Sequence, residues 1–352
     1  MRALVLSGGQ GSRLRPLTHT GAKQLIPVAG VPILFYALDA IRDAGITEVG
    51  IVVGATGDEV RAAVGDGSRW GLSVTYLAQP APLGLAHAVM MAADFVRGEP
   101  FLMYLGDNVL LEGVTRFVEE FERKRPHAQI FLARVPEPER FGVAVLEGER
   151  VVRLVEKPTE FVSDLALVGV YLFDDSILDA VATLRPSWRG EYEITEAIQW
   201  LVDNDRVVRA EMVEGWWKDT GRPDDLLEAN RMMLGVCSAR IEGDVDEASR
   251  VEGVAVIGAG AKVIRSEIRG PVVIGPGVVV EDAVIGPNVS IEHDARVSHS
   301  TIDDSIVMEG AQIVGVHRLS GSILGRDVEV RHSGEAGLHR LIVGDQSHVE
   351  VD

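Results

Sequence analysis

The chain has 352 residues, 46% of them hydrophobic and 25% charged, and a formal net charge of −19. That length suggests two or three domains, and the composition is ordinary for a soluble globular fold. The acidity argues against nucleic-acid binding, which needs a basic face, but it leaves room for a nucleotide site on a local cluster such as Arg13, Arg15 and Lys23. The single cysteine, Cys237, cannot form an intrachain disulfide and reads as a small packing residue. No apolar run is long enough to span a bilayer, and the first one stops too soon for a signal peptide. The expectation is a cytoplasmic protein without a membrane partner.

In chain order, Ala3–Leu6 reads as a short buried strand and Pro32–Ala44 as a helix. Leu34, Leu38 and Ile41 fall on one face of that helix, and Gly45 ends it. Val49–Val53, Leu72–Leu77 and Phe101–Leu105 add strands, with helical stretches near 58–65 and 84–97 between them. Such alternation predicts an α/β fold with a largely parallel sheet covered on both faces. Ligands in such sheets lie beyond the carboxyl ends of the strands, and the motifs below follow strands.

From about residue 240 the helical period disappears. Ile257, Val263, Ile268, Ile274, Val280, Ile285, Ile291, Val297 and Ile302 recur at about the six-residue period of a left-handed parallel β-helix. The repeat becomes ragged after Ile306 and returns weakly at Ile323 and Ile342, so the tail is expected to cap the helix. The domain expectation is 1–237 followed by a 238–352 β-helix with an irregular cap.

The segment Leu6-Ser-Gly8-Gly9-Gln-Gly11-Ser12-Arg13 directly follows the first strand. Its glycines let backbone N–H groups approach an anion. The spacing fits neither the dinucleotide fingerprint nor the Walker loop. Arg13, Lys23 and the glycines together suit a triphosphate.

This segment, with Lys23-Gln24-Leu-Ile-Pro after it, resembles the signature of the sugar-phosphate nucleotidylyltransferases, most closely the thymidylyl branch. The likeness covers nearly the whole chain. It implies a Rossmann-like mixed, mainly parallel sheet domain, and the β-helix tail marks the long form. It also implies dTTP and glucose 1-phosphate as substrates, Mg²⁺ as cofactor, and a homo-oligomer. Gln24 would read the pyrimidine, with Gln79, Pro82 and Gly84 in the base-recognition loop. Asp107 and Asp219 would bind Mg²⁺, an ion that prefers hard carboxylates. Asn108, Gly142, Glu156, Lys157, Val170 and Trp217 would form the sugar-phosphate pocket. Arg13, Lys23, Asp107, Lys157 and Asp219 are the implied catalytic set. Gln199 stands where short relatives carry a phosphate-binding Arg, which leaves Lys157 alone or another cation such as Arg222 for that task. UTP remains an alternative to dTTP. So does a bifunctional protein whose β-helix transfers acetyl groups, with His293 or His299 as base.

Overall fold

The computed structural model describes residues 1–148, 150–332 and 337–351. The chain begins with β1 (Arg2–Ser7), a short hairpin of β2 (Pro27–Val28) and β3 (Val31–Pro32), and α1 (Ile33–Asp43). β4 (Glu48–Val53), α2 (Gly57–Val64), β5 (Ser73–Ala78), α3 (Leu85–Met91), α4 (Ala93–Val96) and β6 (Phe101–Leu105) follow. Next come β7 (Asn108–Leu110), α5 (Thr115–Lys124), β8 (Ala128–Arg134), β9 (Gly142–Glu147), β10 (Arg150–Glu156) and β11 (Leu165–Phe173). The series ends with α6 (Ser176–Thr183), α7 (Ile194–Asp203), β12 (Val208–Met212), β13 (Trp217–Asp219) and α8 (Pro223–Gly235). Beyond α8 the described chain is short strands only.

The chain divides into two compact units: Met1–Gln10 with Leu34–Asp219, and Gly11–Ile33 with Thr220–Asp352. These limits differ from domains of 1–237 and 238–352. Residues 11–33 and helix α8 both fall in the unit that contains the short strands.

The first unit is a nine-stranded sheet in the order β5-β4-β1-β6-β11-β8-β12-β10-β9. Pairing is parallel from β5 to β6, where helices connect the strands. It is antiparallel on both sides of β11 and in the β9–β10 hairpin, so the sheet is mixed. Leu4, Phe101, Met103, Ile130, Phe173 and Ile198 are fully buried in its core. Leu34, Leu38 and Ile41 of α1 are also fully buried, and Gly45 ends that helix at φ 76°, a conformation glycine adopts without a Cβ penalty.

The second unit is a coil of three parallel sheets with seven, seven and six strands, consistent with a left-handed β-helix. Ile257 stacks on Ile274, Ile274 on Ile291, Ile291 on Val307, Val307 on Leu324 and Leu324 on Val343. Val263-Val280-Val297 and Ile268-Ile285-Ile302 form the other two columns. All of these columns point into one apolar core. Asp282, Asn288, Asp294 and Asp304 take positive φ, a region that short polar side chains tolerate. The described residues beyond Ile306 continue the coil. They add strands to all three sheets as far as His348–Val351, because Ile313, Leu319, Leu324 and Val330 keep the inward positions while the exposed residues between them vary. Within this unit α8 packs against β2 and the strand Val289–Ile291, with Ala29, Leu234 and Val273 in one small apolar cluster.

Candidate active site

In the first unit, β10 ends at Glu156, paired in register with Gly142 of β9. A Cβ on Gly142 would lie 2.5 Å from Thr195 Cγ2 and 2.9 Å from Glu156 Oε2, so only glycine leaves room for this carboxylate. Thr195 Oγ1 donates to Glu156 Oε2 at 3.2 Å. Arg189 Nη1 lies 3.4 Å from Glu156 Oε1 and 3.1 Å from Glu193 Oε1, and its Nη2 donates to Glu191 at 3.0 Å. Burial raises the Glu156 carboxyl above its ordinary value, as does the neighbouring Glu193, while Lys157 and Arg189 oppose the shift. Lys157 Nζ is 3.8 Å from Glu156 Oε1. The Lys157 backbone is left-handed at φ 42° and is tied by its N–H to Phe141 O at 3.0 Å. Such a conformation is uncommon in a non-glycine residue and clusters at functional sites.

Asp107 follows β6. Its Oδ1 accepts from Asn108 Nδ2 at 3.2 Å, and Asn108 Oδ1 accepts from Trp217 Nε1 at 2.7 Å. The β7–β13 pairing sets Asp219 opposite Asn108, the residue after Asp107. Asp107, just before β7, and Asp219, the last residue of β13, thereby lie at the same end of one strand pair. The Trp217 ring meets Phe141 edge-on at 5.5 Å. Val170 is fully buried in β11.

The same unit holds part of the expected nucleotide set. Leu6 is buried at the end of β1. Gly8 and Gly9 follow it, and a Cβ on Gly8 would fall 2.6 Å from Gln79 Oε1. Gln79 is nearly buried, and its Nε2 meets Gly84 O at 3.2 Å and His87 Nδ1 at 3.1 Å. Gly84 has φ 104°, and a Cβ there would lie 2.5 Å from Tyr192 O. Pro82 is exposed on the loop between Gln79 and Gly84.

The remaining nucleotide residues lie in the second unit. Gly11, at φ 61°, caps the short helix Ser12–Leu14, where Ser12 and Arg13 are exposed. Thr18 Oγ1 donates to Gly11 O at 2.8 Å. A Cβ on Gly11 would meet Thr18 Cγ2 at 2.9 Å and Lys23 Cβ at 3.1 Å, which keys Gly11 to the half-buried Lys23. Gln24 is 1% exposed, and its Oε1 is buried with no partner among the described residues. An unmatched buried acceptor is costly unless a ligand supplies a donor.

A family model described as nucleotidyl transferase matches residues 2–235. The chain belongs to the nucleotidyl transferase family. Its similarity to the glucose-1-phosphate thymidylyltransferase of Streptomyces griseus is 52% identity over 353 residues, covering 100% of this chain and 99% of that protein. The enzyme of the same name from Xanthomonas campestris strain B100 is 35% identical over 233 residues, 65% of this chain and 79% of that one. A crystal structure from Bacillus anthracis, named as a candidate glucose-1-phosphate thymidylyltransferase in complex with a sucrose, matches with TM-score 0.64 and 34% identity. It covers 68% of this chain and 98% of that chain.

Within this family setting, Gln199 has a different task from a phosphate-binding Arg. Its Oε1 accepts the Leu154 N–H at 2.7 Å and its Nε2 donates to Asp203 at 2.8 Å, so it fastens α7 to β10. Besides Lys157, a second cation stands at Glu156, Arg189, which the sequence reading missed. Its only signal was a basic residue shortly before Glu191 and Glu193, and that reads as an ordinary loop charge. Arg222, the other cation considered, is exposed at the N-cap of α8 in the second unit. His293 and His299 are exposed on the coil; His293 Nε2 is spent on Glu309 at 2.8 Å.

Proposed function

We propose that the chain joins dTTP and glucose 1-phosphate to give dTDP-glucose and pyrophosphate. The observation that carries this reading is the β7–β13 register, which gathers Asp107 and Asp219 beside Asn108 and Trp217. Full-length similarity to a named thymidylyltransferase supports the choice of substrates.

The phosphate oxygen of the sugar attacks the α-phosphorus, and pyrophosphate leaves in line. No protein nucleophile is required, because the sugar phosphate is already anionic at neutral pH. The protein's contribution is positioning and charge neutralisation. Glu156, held by Thr195 and Arg189, accepts hydrogen bonds from sugar hydroxyls, and Lys157 holds the sugar phosphate. Arg13 and Lys23 neutralise the departing pyrophosphate. Gln24 Oε1 accepts from the N3–H of thymine, which would satisfy its buried lone pairs. Asp107 and Asp219 offer the hard oxygen donors that Mg²⁺ prefers, and the ion would neutralise phosphate charge there.

A pyrophosphate-release panel crossing four nucleoside triphosphates with glucose-, galactose-, mannose- and glucosamine 1-phosphates tests the reading. Highest kcat/KM for dTTP with glucose 1-phosphate is expected. Preference for a purine triphosphate would overturn the role given to Gln24. UTP differs from dTTP by one methyl on the base and the 2′-hydroxyl, and the methyl is worth only about 1–3 kcal/mol in a pocket, so its rate measures how strictly the base is read.

A further inference from the structure

The loop that carries Arg13, Lys23 and Gln24 belongs to the same compact unit as the coil, and the coil holds it at two places. The first is Asn230 of α8, which is 1% exposed. Its Oδ1 accepts the Ala29 N–H at 2.8 Å and the Ser290 hydroxyl at 2.9 Å, and its Nδ2 donates to Asn288 O at 3.3 Å. One amide thus ties the β2–β3 hairpin to the middle of the coil.

The second place is the last turn of the coil. Thr20 Oγ1 donates to Asp345 Oδ2 at 2.5 Å, and Asp345 Oδ1 accepts the Arg326 N–H at 2.8 Å. The carboxylate is therefore fixed by coil backbone before it receives the loop. Beside it, a Cβ on Gly344 would lie 2.9 Å from Pro16 O and 3.2 Å from Pro16 Cβ, so loop and coil backbones are in direct contact. Between Pro16 and Thr20 stands Thr18, whose hydroxyl holds Gly11, and Gly11 is packed on Lys23. The end of the coil is thus linked, through the chain from Pro16 to Thr20 and the Thr18–Gly11 contact, to the base of the Lys23 side chain.

We propose that the final turn of the coil, through Gly344 and Asp345, positions the nucleotide loop in cis, so that the β-helix is part of the triphosphate site's scaffold and not only a separate tail. Gly344, Asp345 and Thr20 are positioning residues, acting through the backbone of residues 11–23. The inference rests on the reading that Arg13 and Lys23 receive the triphosphate.

The test uses the full-length protein with Thr20→Val, Thr20→Ser and Gly344→Ala, and with Arg265→Ala as a control. Arg265 pairs with Asp282 and Glu281 on the outside of the coil. Pyrophosphate release gives KM for each substrate, and calorimetric titration with dTTP gives affinity without turnover. Thr20→Val is expected to weaken dTTP by roughly fivefold, the scale of one ordinary hydrogen bond, in both assays. Gly344→Ala should weaken it at least as much, because backbone must move. KM for glucose 1-phosphate should stay within about twofold in both variants, because their contacts are confined to the second unit. Thr20→Ser should restore dTTP affinity, and Arg265→Ala should leave it unchanged. Unchanged dTTP affinity in Thr20→Val and Gly344→Ala overturns the proposal. So does a loss for both substrates that Arg265→Ala reproduces, since that marks general destabilisation. A wild-type protein that binds dTTP but releases no pyrophosphate refutes the reaction reading alone, and the affinities then still decide the positioning role.

Discussion

In the first unit the candidate side chains hold one another. Arg189 spans Glu156, Glu191 and Glu193, Thr195 bonds Glu156, and Trp217 bonds Asn108, which bonds Asp107. In the second unit the support falls mostly on the loop's backbone: Thr18 bonds the Gly11 carbonyl, Asn230 takes the Ala29 N–H, Gly11 sits tightly on Thr18 and Lys23, and Gly344 approaches Pro16. A network of side chains concentrates its energy in a few charged partners, so single substitutions there should be severe and selective for one substrate. A loop fitted by close backbone approach spreads its support, and substitutions there should be graded.

The largest expected effect tests the first half of that contrast. Asp107→Ala should lower kcat by about 100-fold or more, the scale of losing one preorganised charge, as read by pyrophosphate release. Near-normal turnover would remove Asp107 from the chemistry.

Arg189→Gln should come next. Losing hydrogen bonds to charged partners costs about 1.5–3 kcal/mol, which corresponds to KM for glucose 1-phosphate rising roughly 10- to 100-fold with KM for dTTP little changed. The variant also has a pH signature. Glu156 already sits above its ordinary pKa, and Arg189 is one of two cations opposing that rise. Without it the carboxyl should protonate at higher pH, so the acid limb of kcat/KM for the sugar phosphate should move upward. Arg189→Lys should move it part of the way back. An unmoved limb would separate Arg189 from Glu156.

The smallest effect is expected at Gln199→Arg. The variant loses the bond to Leu154 N–H and should destabilise the protein by about 1 kcal/mol in urea titrations, with KM for glucose 1-phosphate changing less than about threefold. A marked fall in that KM would mean that the phosphate still lacks a cation which Arg189 and Lys157 do not supply.

Much of this was legible in the sequence because the physics behind it is periodic or local. Ile257, Ile274 and Ile291 announce a coil, since each face needs one inward aliphatic residue per pass. Gly8, Gly11 and Gly84 announce close approaches, which the structure locates at Gln79, Thr18 and Tyr192. What stayed hidden depends on partners distant in the chain. Arg189 gains meaning only when β10 brings Glu156 to it, across 33 positions. Gln199 looked like a missing cation because its Leu154 partner could not be seen. The tail seemed ragged because its polar exposed residues obscured Ile313, Leu319 and Val330.

The Thr20–Asp345 contact has a thermal consequence. A solenoid is held together by nearest-neighbour stacking, so an end turn of the described coil opens before the interior turns. The C-terminal end turn is the one against Pro16 and Thr20. On warming, fraying of the C-terminal coil should free the nucleotide loop while both cores remain folded. Activity should then fade reversibly at a temperature below the loss of circular-dichroism signal, and dTTP, by holding the loop, should raise the temperature at which the end of the coil lets go.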